Sequence, residues 1–255
     1  MKIVIDIGNT ASKFGCINNG VFSFLGRLYN HDVNLENVKN IFKNINGIEG
    51  VYVSSVAPKI CNLIAQIFED LYNLEVRLVS PSMSSHIQLA IDNKDELGTD
   101  LYCDLVAAYE ISGAKTAIVD FGTATKILFI DEKGRFSSCA IFLGYEKSKN
   151  ILSKSTELLP DPAHQRILPI SECHNTIDVI NSSAYYSQLF TINGIIDEYE
   201  KEVGYSLKRI YTGGNAKDFL SNINKNEYDE NLVLKGIMIL IESVQKWKRK
   251  LITTS

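Results

Sequence analysis

DIGNTASKFGCINNG at 6–20 and DFGTATKILFIDEKG at 120–134 are two copies of one pattern. Each opens with Asp-x-Gly at the end of an apolar strand, KIVIDI at 2–7 and KTAIVDF at 115–121. Each continues through small hydroxyl or amide residues into a second strand, then a turn that ends on glycine. Without a gap, Asp6 falls on Asp120, Gly8 on Gly122 and Gly20 on Gly134. Both copies open a half of the chain. The reading is two related α/β domains, residues 1–112 and 113–255.

Outward from the first copy, 12–17 and 21–28 alternate around Asn18-Asn19-Gly20, which predicts a hairpin. A helix is predicted over 34–46, a strand over 51–56, and a helix opened by Pro58 to about Leu71. Residues 74–80 read as a strand. A polar stretch at 81–99 carries one short strand near 87–91, and a helix follows over 101–112. Outward from the second copy, 126–131 and 136–142 read as strands and 145–157 and 175–203 as helices. A strand at 207–212 and a helix at 231–250 complete the chain. That last helix has one apolar face, Val233, Ile237, Leu240, Ile241, Val244 and Trp247. Its basic cluster, Lys246, Lys248, Arg249 and Lys250, reads as a solvated helix end. Residues 158–173 hold three of the five prolines and read as a loop suited to a flap.

With 45% apolar and 22% charged residues the 255-residue chain is globular, and a net charge of −4 argues against nucleic acid as a partner. Five cysteines without a C-x-x-C pair point to a reducing, cytoplasmic setting. His31, His86, His164 and His174 have no metal-ligand spacing. The N-terminus lacks the apolar region of a signal peptide, and no apolar run reaches membrane-span length.

The chemistry follows from residue types. Glycine after the aspartate lets backbone approach a ligand closely. Asn9, Thr10, Thr123 and Thr125 add donors, which makes each hairpin a phosphate cradle. Asp6 and Asp120 supply oxygens for a hard cation beside a polyphosphate. Facing each other across a cleft, the hairpins would clamp the β- and γ-phosphates of ATP. Thr212-Gly213-Gly214-Asn215 after a strand suits close passage of a nucleoside. Asp100, in Gly98-Thr99-Asp100, reads equally as a helix N-cap and as the base that takes a hydroxyl proton.

The order of these motifs resembles the type III pantothenate kinase family over nearly the full length. They are Asp-x-Gly-Asn-Thr at 6–10, Val-Ser-Ser-Val-x-Pro at 53–58, Asp-Asn-x-x-Glu-Leu-Gly-x-Asp at 92–100 and Ala-Ala-Tyr at 107–109. Asp-Phe-Gly-Thr-Ala-Thr at 120–125, Leu-Pro at 159–160, Asn-Thr at 175–176 and Thr-Gly-Gly-x-Ala at 212–216 complete the set. The resemblance implies two similar actin-like (RNase H-like) domains, each a mixed sheet flanked by helices, with the active-site cleft between them. It implies ATP-dependent phosphorylation of pantothenate in a cytoplasmic homodimer, with Mg2+ and a monovalent cation, K+ or NH4+. By position, Asp6, Gly8, Asn9, Thr10, Lys13, Thr123, Gly213 and Gly214 are implied at ATP, with Asp6 also at the divalent metal. Asp100 is implied as proton acceptor and Asp120 as holder of the monovalent cation. Gly98, Thr99, Leu101, Ile91 and Thr176 fall where pantothenate binds.

Several positions depart from the family pattern. Leu101 stands where the family has an arginine suited to a carboxylate, and Ile91 where it has tyrosine. Lys126 or Lys147 is a candidate substitute for that charge. Ser138-Cys139 replaces Gly-Gly, Leu143 a proline, and Ser183, Ser187 and Phe190 helix glycines near the dimer interface. Two alternatives stay open, a kinase of a less acidic hydroxyl substrate and a non-catalytic regulatory relative.

Overall fold

A computed structural model describes residues 1–83, 85–162 and 167–253, with backbone alone from 244 onward. His164, and the side chains of Val244, Trp247 and the basic cluster at 246–250, lie outside the described residues. The chain forms two compact units. One comprises Met1–Ala114, Gly134–Ser137 and Asn231–Ser255, the other Lys115–Lys133 and Ser138–Glu230.

The first unit is built on β1 (Lys2–Ile7), β2 (Ala11–Asn18), β3 (Val21–Tyr29), β4 (Gly50–Ser55) and β5 (Val76–Leu78), ordered β3-β2-β1-β4-β5. β1 pairs antiparallel with β2 and parallel with β4. Ile3, Ile5 and Ile7 alternate onto a face that packs on α1 (Leu35–Ile41) and α2 (Pro58–Tyr72). Phe42 fills the middle, edge-on to Phe14 at 5.8 Å and to Phe68 at 5.3 Å. α1 is shorter than the 34–46 expected. Its cap, Asn34, accepts from Asn37 N, but Phe42 already ends the helix, and Gly47 beyond it has φ +67. β5 is also shorter than expected, three residues against the sheet edge.

β6 (Gln88–Leu89) leads to α3 (Thr99–Ser112). From Leu101 to Ala108 every side chain of α3 is buried, so this helix has no solvent face over that stretch. Part of that cover is α6 (Leu232–Thr253): a Cβ on Gly236 would lie 2.1 Å from Cys103 O, so glycine sets the helix–helix distance. The first unit therefore takes in the last helix as well as the N-terminal half. Buried positions on α6 include Leu232, Leu234, Ile237, Leu240 and Ile241, with Val233 only half-buried.

The second unit holds β7 (Thr116–Phe121), β8 (Ala124–Ile130), most of β9 (Arg135–Leu143), α4 (Tyr145–Lys154), α5 (Thr176–Val203) and β10 (Lys208–Thr212). Its sheet runs β10-β7-β8-β9, with β10 parallel to β7 and β8 antiparallel to it. Phe219 stacks on Tyr185 at 4.6 Å and Phe129 on Tyr199 at 4.0 Å, which seats α5 on the sheet.

The two hairpins repeat with one slip. Ile7 pairs with Ser12, so four residues turn the first. Phe121 pairs with Thr125, so three turn the second. Beyond the turn the gapless match fails by one residue: Asp6 pairs with Lys13 and Asp120 with Lys126. Lys126 is thus the counterpart of Lys13, not of Ser12. The lost residue returns in the longer turn before β9.

Candidate active site

In the first hairpin Gly8 N donates to Ala11 O at 3.1 Å, which tightens the turn and leaves Asn9 and Thr10 exposed at its tip. The turn is braced by Asn30, which the sequence reading did not single out. Its Nδ2 donates to Gly8 O at 2.9 Å, its Oδ1 accepts from Ser12 Oγ at 3.1 Å, and its N donates to Thr10 O at 2.9 Å. One amide thus fixes both arms of the cradle. The only sequence signal was an asparagine directly after a strand, and pairing it with Gly8 requires the tertiary fold.

Asp100 is not the N-cap of α3. Gly98 holds that position, Thr99 is the first helical residue and Asp100 the second. A carboxylate there is favoured by the helix dipole. Thr99 Oγ1 anchors the helix start to the end of β4. It accepts from Ser55 N at 3.1 Å, donates to Ser55 O at 3.3 Å and lies 3.0 Å from Ser54 Oγ. The Asp100 carboxylate folds back over Gly98, where an added Cβ would stand 2.5 Å from Oδ1. Burial, then the negative charges of Asp104, Asp6 and Asp100, hold the Cys103 thiol well above its ordinary range, against a hydrogen bond with Ser54 that lowers it. Asp6 is the strand partner of Ser54, whose Oγ lies 3.0 Å from Thr99 Oγ1, so Asp6 and Asp100 share one acidic neighbourhood inside the first unit. Among the described residues no group of three or more His, Cys, Asp and Glu side chains is arranged to hold a metal ion unaided. A divalent ion there would need phosphate oxygens to complete its shell.

Leu101 is buried and Ile91 half-buried in the same unit. Leu101 therefore belongs to the packed interior. Thr176 is exposed at the start of α5 in the second unit, behind the cap Asn175, whose Oδ1 accepts from Asp178 N at 3.0 Å.

The second hairpin is held by contacts to its backbone. Gly144 N donates to Thr123 O at 3.2 Å, and a Cβ on Gly144 would stand 2.4 Å from Gly122 O. Asn215 Nδ2 donates to Gly122 O at 3.2 Å, so the Thr-Gly-Gly-Asn segment closes on this turn. Gly213, at φ +93, presses on Asp120: an added Cβ would be 2.5 Å from Oδ1. Thr125 is buried, donating to Gln188 Oε1 at 2.9 Å, and is structural, whereas Thr123 is exposed at the tip. On the other Asp120 oxygen, Oδ2, sits the Lys126 ammonium at 2.9 Å.

Each unit thus carries a glycine-turn hairpin led by a strand-end carboxylate. The family model for type III pantothenate kinase matches residues 2–198. The chain belongs to the type III pantothenate kinase family. Relatives of that description occur in Syntrophobacter fumaroxidans, 29% identical over 96% of this chain and 99% of the relative, and in Koribacter versatilis, 28% identical over 98% of each. Among solved structures, a Campylobacter jejuni protein described as a Baf family transcriptional activator matches at TM-score 0.59 and 18% identity. It covers 96% of this chain and 99% of its own. The ethanolamine utilization protein EutJ of Carboxydothermus hydrogenoformans matches at TM-score 0.51 and 14% identity, covering 94% and 89%. These structures establish the fold alone, a two-domain α/β architecture of mixed sheets flanked by helices.

In this pantothenate kinase family member, Asp120 is the position at which the resemblance implies a monovalent cation. One oxygen already carries an ammonium, and the other faces Gly213. Beside a carboxylate already paired, a second unit positive charge about 4 Å from Nζ meets about 4 kcal/mol of repulsion at an effective dielectric of about 20, which offsets most of the attraction that the carboxylate would offer it. The site as built does not fit an added monovalent ion on that carboxylate. Lys126, one of the two candidate substitutes for the missing arginine, is thereby engaged with Asp120. Lys147, the other substitute considered, is exposed on α4.

Proposed function

We propose that this chain transfers the γ-phosphoryl group of ATP to the hydroxyl of pantothenate, giving 4'-phosphopantothenate, the first step of coenzyme A biosynthesis. The observation that carries the assignment to named residues is geometric: β1 pairs Asp6 with Ser54, and Ser54 Oγ lies 3.0 Å from the hydroxyl of Thr99, the neighbour of Asp100. A strand-end carboxylate beside a phosphate cradle and a helix-start carboxylate share one neighbourhood. That is what phosphoryl transfer to a hydroxyl requires: one group for the metal–phosphate end and one for the proton.

In this reading Asp100 accepts the proton of the attacking hydroxyl. Thr99, tied to β4, holds the first turn of α3 so that the carboxylate keeps its direction. Gly8, Asn9, Thr10 and Lys13 on the first hairpin and Thr123 on the second bind phosphates, while Gly213 and Gly214 lie against the nucleoside. Asp6 holds Mg2+ together with phosphate oxygens. When bound, that ion neutralises charge developing on the transferred group. Gly98 and Thr176 contact the acceptor. Confrontation of the two hairpins over one triphosphate is part of this proposal, as are the cytoplasmic setting and the homodimer. Exposed apolar Val179 and Phe190 on α5 support the dimer. Among the described residues no helix is long and apolar enough to cross a membrane.

A second reading, a less acidic hydroxyl acceptor, is favoured by one observation: the position of the family's arginine is taken by Leu101, which is buried. A coupled assay with ATP and Mg2+ separates the two. Turnover with pantothenate that is abolished in Asp100→Asn supports the first. Turnover only with uncharged hydroxy compounds supports the second. ATP binding without turnover on any acceptor refutes both.

A further inference from the structure

The pair between Asp120 and Lys126 joins cross-strand partners on β7 and β8, one pair back from the Phe121–Thr125 pair that closes the turn. Nζ lies 2.9 Å from Oδ2, and the two side chains are only 18% and 14% exposed. The register fixes the pair, because antiparallel partners on one sheet face project side by side. The carboxylate has little room to swing away. Gly213 presses on Oδ1, and Gly122 passes within 3.6 Å of Oδ2 as judged by an added Cβ.

A primary ammonium is chemically the tethered equivalent of NH4+. It is a compact unit positive charge with three N–H donors. Held on the strand, it needs no binding from solution, so its effective concentration is set by the fold. We infer that Lys126 Nζ takes the place of the free monovalent cation at Asp120, so that this chain binds its nucleotide without K+ or NH4+. The consequence for nucleotide binding rests on the kinase reading above. Occupancy of the Asp120 site does not, and it can be read separately.

The test compares wild type with Lys126→Met in potassium chloride and in choline chloride at equal ionic strength. Two quantities are measured: the melting temperature without nucleotide, and the Kd of Mg2+–ATP by calorimetry. The expectation is a wild type whose melting temperature and ATP Kd agree in the two salts within about twofold in Kd. Lys126→Met regains a site for the free ion. Potassium then raises its melting temperature and tightens ATP at least about tenfold relative to choline. Potassium stimulation of the wild type overturns the inference and needs no variant to be seen. So does a folded Lys126→Met whose melting temperature ignores potassium. If Lys126→Met does not fold, Lys126→Gln, which keeps length and polarity without charge, carries the same comparison. Failure of both proteins to bind ATP in either salt refutes the kinase reading, while the melting temperatures still decide the occupancy of the Asp120 site.

Discussion

Gly98→Ala isolates the positioning of Asp100 from the stability of the fold. Gly98 has φ −57 and ψ 146, which any L residue adopts, so the backbone accepts alanine without strain. The added Cβ would stand 2.5 Å from Asp100 Oδ1, with Val56 Cγ1 at a comfortable 3.8 Å. An ordinary contact of carbon with oxygen needs about 1 Å more, so the carboxylate must retreat by about that distance. The side chain can rotate, so the cost to folding is small. Alanine is a poorer cap residue than glycine but lowers the entropy of the unfolded chain, and the two effects leave stability within about 1 kcal/mol of wild type. Catalysis has no such freedom. A displacement of about 1 Å costs up to about 10²-fold in rate, equivalent to about 2.7 kcal/mol in the barrier. The expected result in a coupled ATP–pantothenate assay is kcat reduced by about 10²-fold with an unchanged urea midpoint. Because both changes act on one carboxylate, Gly98→Ala combined with Asp100→Asn should lose little more than Asp100→Asn alone. A Gly98→Ala enzyme with kcat within about twofold of wild type, or a double variant whose losses multiply, refutes the argument.

Asp100→Asn by itself should lower kcat by about 10² or more while ATP still binds, measured by turnover and calorimetry in parallel. Asn30→Ala removes the amide that braces Gly8 and Ser12; it should cost about 1–3 kcal/mol in stability and raise the Kd for ATP, and an unaltered Kd would show that the brace does not shape the cradle. Gly144→Ala places a Cβ against two backbone carbonyls that cannot rotate away, Gly122 O and Thr123 O, and should lower stability by about 1–3 kcal/mol, read as a lower melting temperature. The Cys103 thiol, held above its ordinary 9.0 by burial and three carboxylates, keeps its proton in the folded state where the unfolded chain gives it up. Its contribution to stability is present below pH about 9 and lost as pH rises beyond, so the fall in stability on the alkaline side should be shallower in Cys103→Ala. An equal slope in both proteins would contradict that.

Much of the architecture was legible because it rests on local patterns. KIVIDI and KTAIVDF are apolar runs that only a buried strand accommodates, and the turns at Asn19-Gly20 and Gly134 carry the positive φ that their residues suggest. The helix from Pro58 begins where proline is tolerated and ends at Asn73 in the left-handed region. Boundaries set by packing were less visible. The expected helix at 34–46 stops at Ile41, and the gapless repeat slips after its turn, since a one-residue difference in turn length leaves almost no trace in a match of small residues.

The sequence by itself determined the two aspartate-led hairpins, the helix that starts at the Gly-Thr-Asp segment, and the family these motifs mark, because each depends on residue types close together along the chain. Only the tertiary structure decided that Asn30 braces Gly8, that Gly98 rather than Asp100 caps α3, and that Leu101 is part of the core. It alone decided that Lys126 pairs with Asp120. Those facts arise from strand register and helix packing, which bring distant residues within hydrogen-bonding reach and which no local run of residues encodes.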